Sequence, residues 1–136
     1  MIDMPKVCCP HCGIEISAIE FEIGGFSQGF KKLSVRRDGE RYIAEYFPSI
    51  FESDKHQMIE LTKEEYEQYV HRIYITYINE WDEDYMDPMV LDGESWMIRI
   101  KYGEGCERDW HGCNAYPPLW KQFLKAVNSL DLPDVK

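Results

Sequence analysis

The sequence predicts an α+β fold, an antiparallel sheet made of an N-terminal meander and a C-terminal hairpin, with two helices packed on one face. Three observations carry that expectation. Asp38-Gly39 stands between two strand-like runs, Phe30 to Arg37 and Arg41 to Phe47, which is a two-residue hairpin signal. Thr62-Lys63-Glu64-Glu65 has the spacing of a capping box and opens a stretch whose apolar residues recur three and four apart. Trp96, Ile98, Ile100 and Tyr102 alternate with Met97, Arg99 and Lys101, the period-2 pattern of a half-buried strand.

Taken in order, residues 1–13 form a cysteine-containing knuckle, residues 14–130 one α+β domain, and residues 131–136 a tail. Ile14 to Ile23 reads as the first strand. Its apolar residues change parity, with Ile14 and Ile16 on one side and Ile19, Phe21 and Ile23 on the other. That shift implies a bulge near Ala18 or a strand buried on both faces. Gly24-Gly25 ends it. After the Asp38-Gly39 hairpin, Pro48 to His56 reads as a loop and Gln57 to Leu61 as a short fourth strand. A helix is expected from Lys63 to about Glu80, packing Tyr66, Tyr69, Val70, Ile73, Tyr77 and Trp81 on a sheet face. Residues 82–94 are acidic, contain Pro88 and Gly93, and read as a connecting loop.

The second hairpin has a register that turn length decides. A two-residue turn would place Glu107, Asp109 and His111 opposite the apolar set, burying charge at a cost of several kcal/mol. A three-residue loop, Gly103-Glu104-Gly105 with Gly105 left-handed, instead pairs Tyr102 with Cys106, Ile100 with Arg108 and Ile98 with Trp110. Trp110 and Cys106 then turn inward, and His111 and Cys113 share the opposite face with Arg99 and Lys101. Tyr116 and Pro117 each precede a proline and must be extended, so the last helix begins near Pro118. Trp120, Phe123, Leu124, Val127 and Leu130 make its apolar face, and Asn114-Ala115-Tyr116-Pro117 reads as a strand-to-helix hinge.

Asp92-Gly93-Glu94-Ser95-Trp96-Met97-Ile98-Arg99-Ile100, followed by Gly112, Asn114-Ala115-Tyr116-Pro117 and an aromatic-rich helix, resembles a family of small uncharacterised bacterial proteins. The resemblance covers residues 14–130. It implies an α+β domain and no particular activity. The chain departs from the family pattern in carrying the Cys-Pro-His-Cys knuckle before residue 14, and cysteines at 106 and 113.

The formal charge of −10, from 25 acidic against 15 basic residues, opposes nucleic acid and anionic membrane as partners. The residues from Met1 to Val7 lack the apolar core of a signal peptide, and no apolar run reaches membrane-spanning length, so a cytoplasmic protein is expected. Five cysteines then argue for thiols or metal ligands rather than a disulfide framework.

Cys9-Pro10-His11-Cys12 has the two-residue spacing that lets two thiolates hold one zinc, which is half a tetrahedral site. Cys106 and Cys113 would lie about 23 Å apart along an extended strand at roughly 3.3 Å per residue, so they cannot both complete it. His111 and Cys113, two apart on one strand face at about 6.6 Å, can. The expected metal site is therefore a structural zinc held by Cys9, Cys12, His111 and Cys113.

The same Cys9–Cys12 motif matches thioredoxin-like oxidoreductases in spacing, but those place it before a helix whose N-terminus lowers a thiol pKa, and here a strand-like segment follows. Asp82, Asp84 and Asp87 resemble a calcium loop in charge without its glycine and distal glutamate in register. No serine sits in a nucleophile elbow, and no glycine pair opens a helix as a phosphate loop would. The expected function is a cytoplasmic binding or regulatory module with a protein partner. The alternatives are an immunity-type neutralising partner of a basic protein, and a small zinc- or thiol-dependent enzyme.

Overall fold

The computed structural model describes residues 16–25, 29–49, 55–86, 93–103 and 106–135. The knuckle with Cys9 and Cys12, and the expected left-handed Gly105, lie outside them. The fold is α+β. Seven strands, β1 (Ala18–Gly25), β2 (Gly29–Asp38), β3 (Arg41–Phe47), β4 (Gln57–Leu61), β5 (Asp84–Met86), β6 (Ser95–Lys101) and β7 (Glu107–Cys113), make one sheet in the order β4-β3-β2-β1-β6-β7-β5. Every neighbour pair is antiparallel except β5 with β7, which is parallel. The sheet is thus larger than a meander plus a hairpin. The meander's first strand pairs with β6, which places β1 near the middle of the sheet.

The second hairpin has the register that charge burial demands: Ile98 opposes Trp110, Ile100 opposes Arg108, and the Tyr102 amide donates to the Cys106 carbonyl at 2.8 Å. Trp110 is fully buried, and Cys106 is half-buried against the core. Arg108 shares the inward parity yet stays satisfied. Its guanidinium lies 4.5 Å from the Trp110 ring and donates to the Asn79 carbonyl at 3.0 Å, near Glu83 at 3.6 Å.

At the start of β1 the Ser17 amide donates to the Lys101 carbonyl, although Ala18 is the residue paired with Lys101. Two residues stand against one, a bulge, and Ile16 joins Ile19, Phe21 and Ile23 in the core. The first hairpin slips by one residue from the expected turn. Asp38 pairs with Arg41, so the loop is Gly39-Glu40, and positive φ is confined to Gly39 at 65°. That is the type II′ pattern, which wants glycine at the first central position.

Thr62 and Glu65 form the capping box reciprocally, at 3.1 and 3.0 Å, and open α1 (Lys63–Tyr74). The helix ends six residues before Glu80. The Thr76 hydroxyl and amide both donate to the Ile73 carbonyl, the group a continuing helix would bond to residue 77. Tyr77 then adopts a left-handed φ of 59° ahead of a 3-10 turn, Ile78–Glu80. Tyr77 is therefore exposed, while Trp81 still reaches the core.

The last helix, α2 (Trp120–Val127), starts two residues past Pro118 because Leu119 is left-handed at φ 62°. Its Phe123 and Val127 are fully buried. Tyr66 of α1 meets Tyr42 of β3 with ring centroids 4.6 Å apart, and Phe123 of α2 meets Phe21 of β1 at 5.3 Å. Val135, beyond α2, is buried too.

Candidate functional site

Strand alternation puts Glu20, Lys32, Ser34, Arg36, Glu45, Met97, Arg99, Lys101, Asp109, His111 and Cys113 on the sheet face opposite to Phe21, Trp96 and Trp110. One register row runs Glu45, Ser34, Glu20, Arg99, Asp109 across five strands. The row is set with ion pairs. Glu20 lies between Lys32 at 3.0 Å and Lys101 at 3.1 Å, and Glu45 between Arg36 at 3.0 Å and His56 at 2.6 Å. Arg99 donates to Asp109 at 2.8 Å. Ser34, Ile43 and Ala18 are buried on this same face.

Burial alone would raise the pKa values of Glu20 and Glu45. Their partners outweigh it, Lys32 and Lys101 for the first, the hydrogen bond from His56 and then Arg36 for the second, and both carboxyls end below the ordinary range. Both carboxyls are pushed the same way, toward the charged form. The arrangement can present fixed charge to a partner.

At one end of this face, two sequence segments close on each other. Gly93-Glu94-Ser95-Trp96 enters β6, and Gly112-Cys113-Asn114-Ala115-Tyr116 leaves β7. Asn114, left-handed at φ 53°, accepts from the Glu94 amide through Oδ1 at 2.9 Å, and its own amide donates to the Glu94 carbonyl. A Cβ on Gly93 would fall 1.7 Å from the Asn114 side-chain nitrogen Nδ2, and one on Gly112 2.6 Å from the Trp96 ring. The Trp96 indole donates to the Ala115 carbonyl at 2.9 Å. Tyr116 donates its phenol to Glu94 at 2.8 Å and packs on Trp120 at 5.2 Å. Burial first, then Glu94 and Cys113, push that phenol up to about 12, so it stays a neutral donor. The segment expected to be only a hinge is thus also a clasp. Its legible signal in the sequence was glycine at 93 and 112, where no side chain fits.

The expected zinc ligands are placed as follows. Cys9 and Cys12 lie outside the described residues. His111 and Cys113 are side by side on the outer face of β7, His111 exposed and Cys113 half-buried with a free thiol. His111 Nε2 is 3.4 Å from Asp84 on β5. Among the described residues no group of three or more His, Cys, Asp or Glu side chains converges as a metal site. No described helix is long and apolar enough to cross a membrane. Compared with protein-family models, curated proteins and solved structures, the chain matches none.

Proposed function

We propose that the protein is a cytoplasmic binding module of regulatory type, in which both helices cover the Phe21–Trp96 face and the ion-paired face meets a protein partner. The observation that supports this reading is the outer row itself, whose two half-buried carboxylates are each clamped between two bases. Such a row is rigid, charged and selective for complementary charge. Methionines flank it: Met58 and Met86 at the two edges are exposed, and Met97 lies between them, a polarizable surface suited to contact. A basic partner fits best, because exposed Glu80, Asp82, Glu83 and Asp84 line the edge at β5. That charge favours the immunity-type form of the reading, and the same sequence segments support membership of the small bacterial family it resembles.

Photo-crosslinking residues placed at Glu22 or Met97 on the outer face, and at Lys125 on α2, test it in the cells of origin. Adducts with a basic protein from the outer-face positions alone, weakened by salt, support the reading. Equal adducts from both faces would defeat it.

A structural zinc held by Cys9, Cys12, His111 and Cys113 is a second proposal, supported by the adjacency of His111 and Cys113 on one face. Metal analysis of protein prepared without chelator should find zinc near stoichiometry. Less than about a tenth of an equivalent per chain would sink it.

A further inference from the structure

We propose that the cleft between α1 and the β2–β3 hairpin binds a small planar aromatic monocarboxylate. A cavity of about 410 Å³ opens there, within the range of roughly 300–1,000 Å³ that small-molecule pockets span. Its floor is apolar and aromatic. Ile16 and Val70 are buried, and the rings of Tyr42 and Tyr66 lie 4.6 Å apart, with the Tyr66 phenol fixed on the Ile16 carbonyl at 3.0 Å. A flat ring seated on such a floor gains burial and aromatic contact without moving it.

The mouth carries the opposite chemistry. Arg37 of β2 and Lys63 and His71 of α1 line it, and all three are exposed. Arg37 is in no ion pair among the described residues, and Lys63 reaches Glu67 only at 4.0 Å. In a chain of net charge −10 this is a positive island. A free guanidinium beside an ammonium suits the two oxygens of a carboxylate, since Arg can donate two parallel hydrogen bonds. Glu67, on the same rim, opposes a second negative charge and so selects a monoanion over a phosphate dianion. Arg37 and Tyr42 face each other on β2 and β3 with the inward parity of Val35 and Ala44. The cleft is therefore separate from the ion-paired outer face, and its test is independent of the partner-binding reading.

The probe is 2-naphthoate, titrated into the full-length protein and followed by backbone amide NMR. Saturable shifts at Tyr66, Val70 and His71 are expected, with Kd of about 1 mM or tighter. Arg37→Gln should weaken binding about tenfold or more, and the neutral 2-naphthalenemethanol should bind native protein as poorly. Naphthyl phosphate should bind more weakly than naphthoate, and Glu67→Gln should narrow that gap. Arg41→Gln, whose side chain is held by Glu60 at 3.1 Å, should leave naphthoate affinity unchanged. Absence of saturable shifts, equal affinity in Arg37→Gln, or equal binding of the neutral alcohol would each overturn the proposal. Arg37 and Glu67 are exposed, and a native-like dispersed spectrum verifies that each variant folds.

Discussion

Replacing Gly112 by alanine should be among the most damaging single-methyl insertions in this chain. Gly112 stands opposite Trp96 in the β6–β7 pair, and the added Cβ would lie 2.6 Å from the Cε2 and Nε1 atoms of the ring. That ring cannot retreat. It is 2% exposed, donates to the Ala115 carbonyl, and is packed by Trp120 at 4.8 Å and Tyr85 at 5.9 Å. Gly112 is not left-handed, so the effect is steric and not a matter of backbone preference. Overpacking of this kind costs about 1–3 kcal/mol, and a displaced indole loses a hydrogen bond worth about 1 kcal/mol more. In urea, with a slope of about 1–3 kcal/mol per molar, the midpoint should fall by roughly 1–2 M. Trp96→Leu ends at Cδ and so removes the Cε2, Nε1 and Cζ2 atoms the methyl would strike, and Gly112→Ala should cost much less in that background. A loss below roughly 0.5 kcal/mol in the native background, or an equal loss in both, would refute the steric account.

Three further outcomes follow from the same geometry. Thr62→Ala removes the hydroxyl that accepts from the Glu65 amide, while the Thr62 amide keeps its bond to the Glu65 carboxylate, and should lower thermal stability by about 1 kcal/mol, whereas Thr62→Ser should restore most of it. Asn114→Ala should destabilise by about 1–2 kcal/mol, since it removes the acceptor for the Glu94 amide and leaves a non-glycine residue at φ 53°; Asn114→Gly should lose less, as it relieves the second effect. The folded-state pKa values of Glu20 and Glu45 lie below their unfolded values, so their pairs contribute stability above the ordinary carboxylate pKa and lose it as pH falls through the folded values. Unfolding midpoints measured from about pH 6 down to pH 3 should therefore drop less steeply in the Glu20→Gln, Glu45→Gln double variant than in the native chain; parallel slopes would count against those pairs.

Where one physical effect dominated, the sequence was readable. The register of the second hairpin turned on whether three polar residues would be buried, a choice worth several kcal/mol, and Trp110 lies where that choice puts it. The capping box needed only residues three apart. The errors fall where competing local terms are small. A one-residue slip at Gly39 exchanges one favoured two-residue turn for another, and Asp38-Gly39 suits both. Helix α1 stops at Tyr74 because a threonine hydroxyl competes for one carbonyl, an effect the periodicity of Tyr77 and Trp81 hides. Strand β5 is three residues long and parallel, so Asp84-Tyr85-Met86 has no periodicity to display, and its pairing depends on β7, some thirty residues away. The clasp was written in two segments about twenty residues apart, and though both stood out as motifs, only the glycine in each marked the close approach between them.

The order of the strands also accounts for where the charge sits. Among the described residues the sheet has β4 at one edge and β5 at the other, and edge strands are where a second chain can pair. At β5 the edge is only three residues long, is preceded by Asp82 and Glu83 and begins with Asp84, so another copy of this acidic protein meets like charge there. At β4 the strand is five residues long, and Glu60 is tied to Arg41 by two hydrogen bonds, at 3.1 and 3.2 Å, across the β3–β4 pair. Burial does not need these acids, since none of them enters the core. Their placement opposes pairing of the chain with its own copies. The ion-paired outer face begins where that edge ends, since Asp84 and Met86 of β5 stand beside His111 and Cys113 of β7.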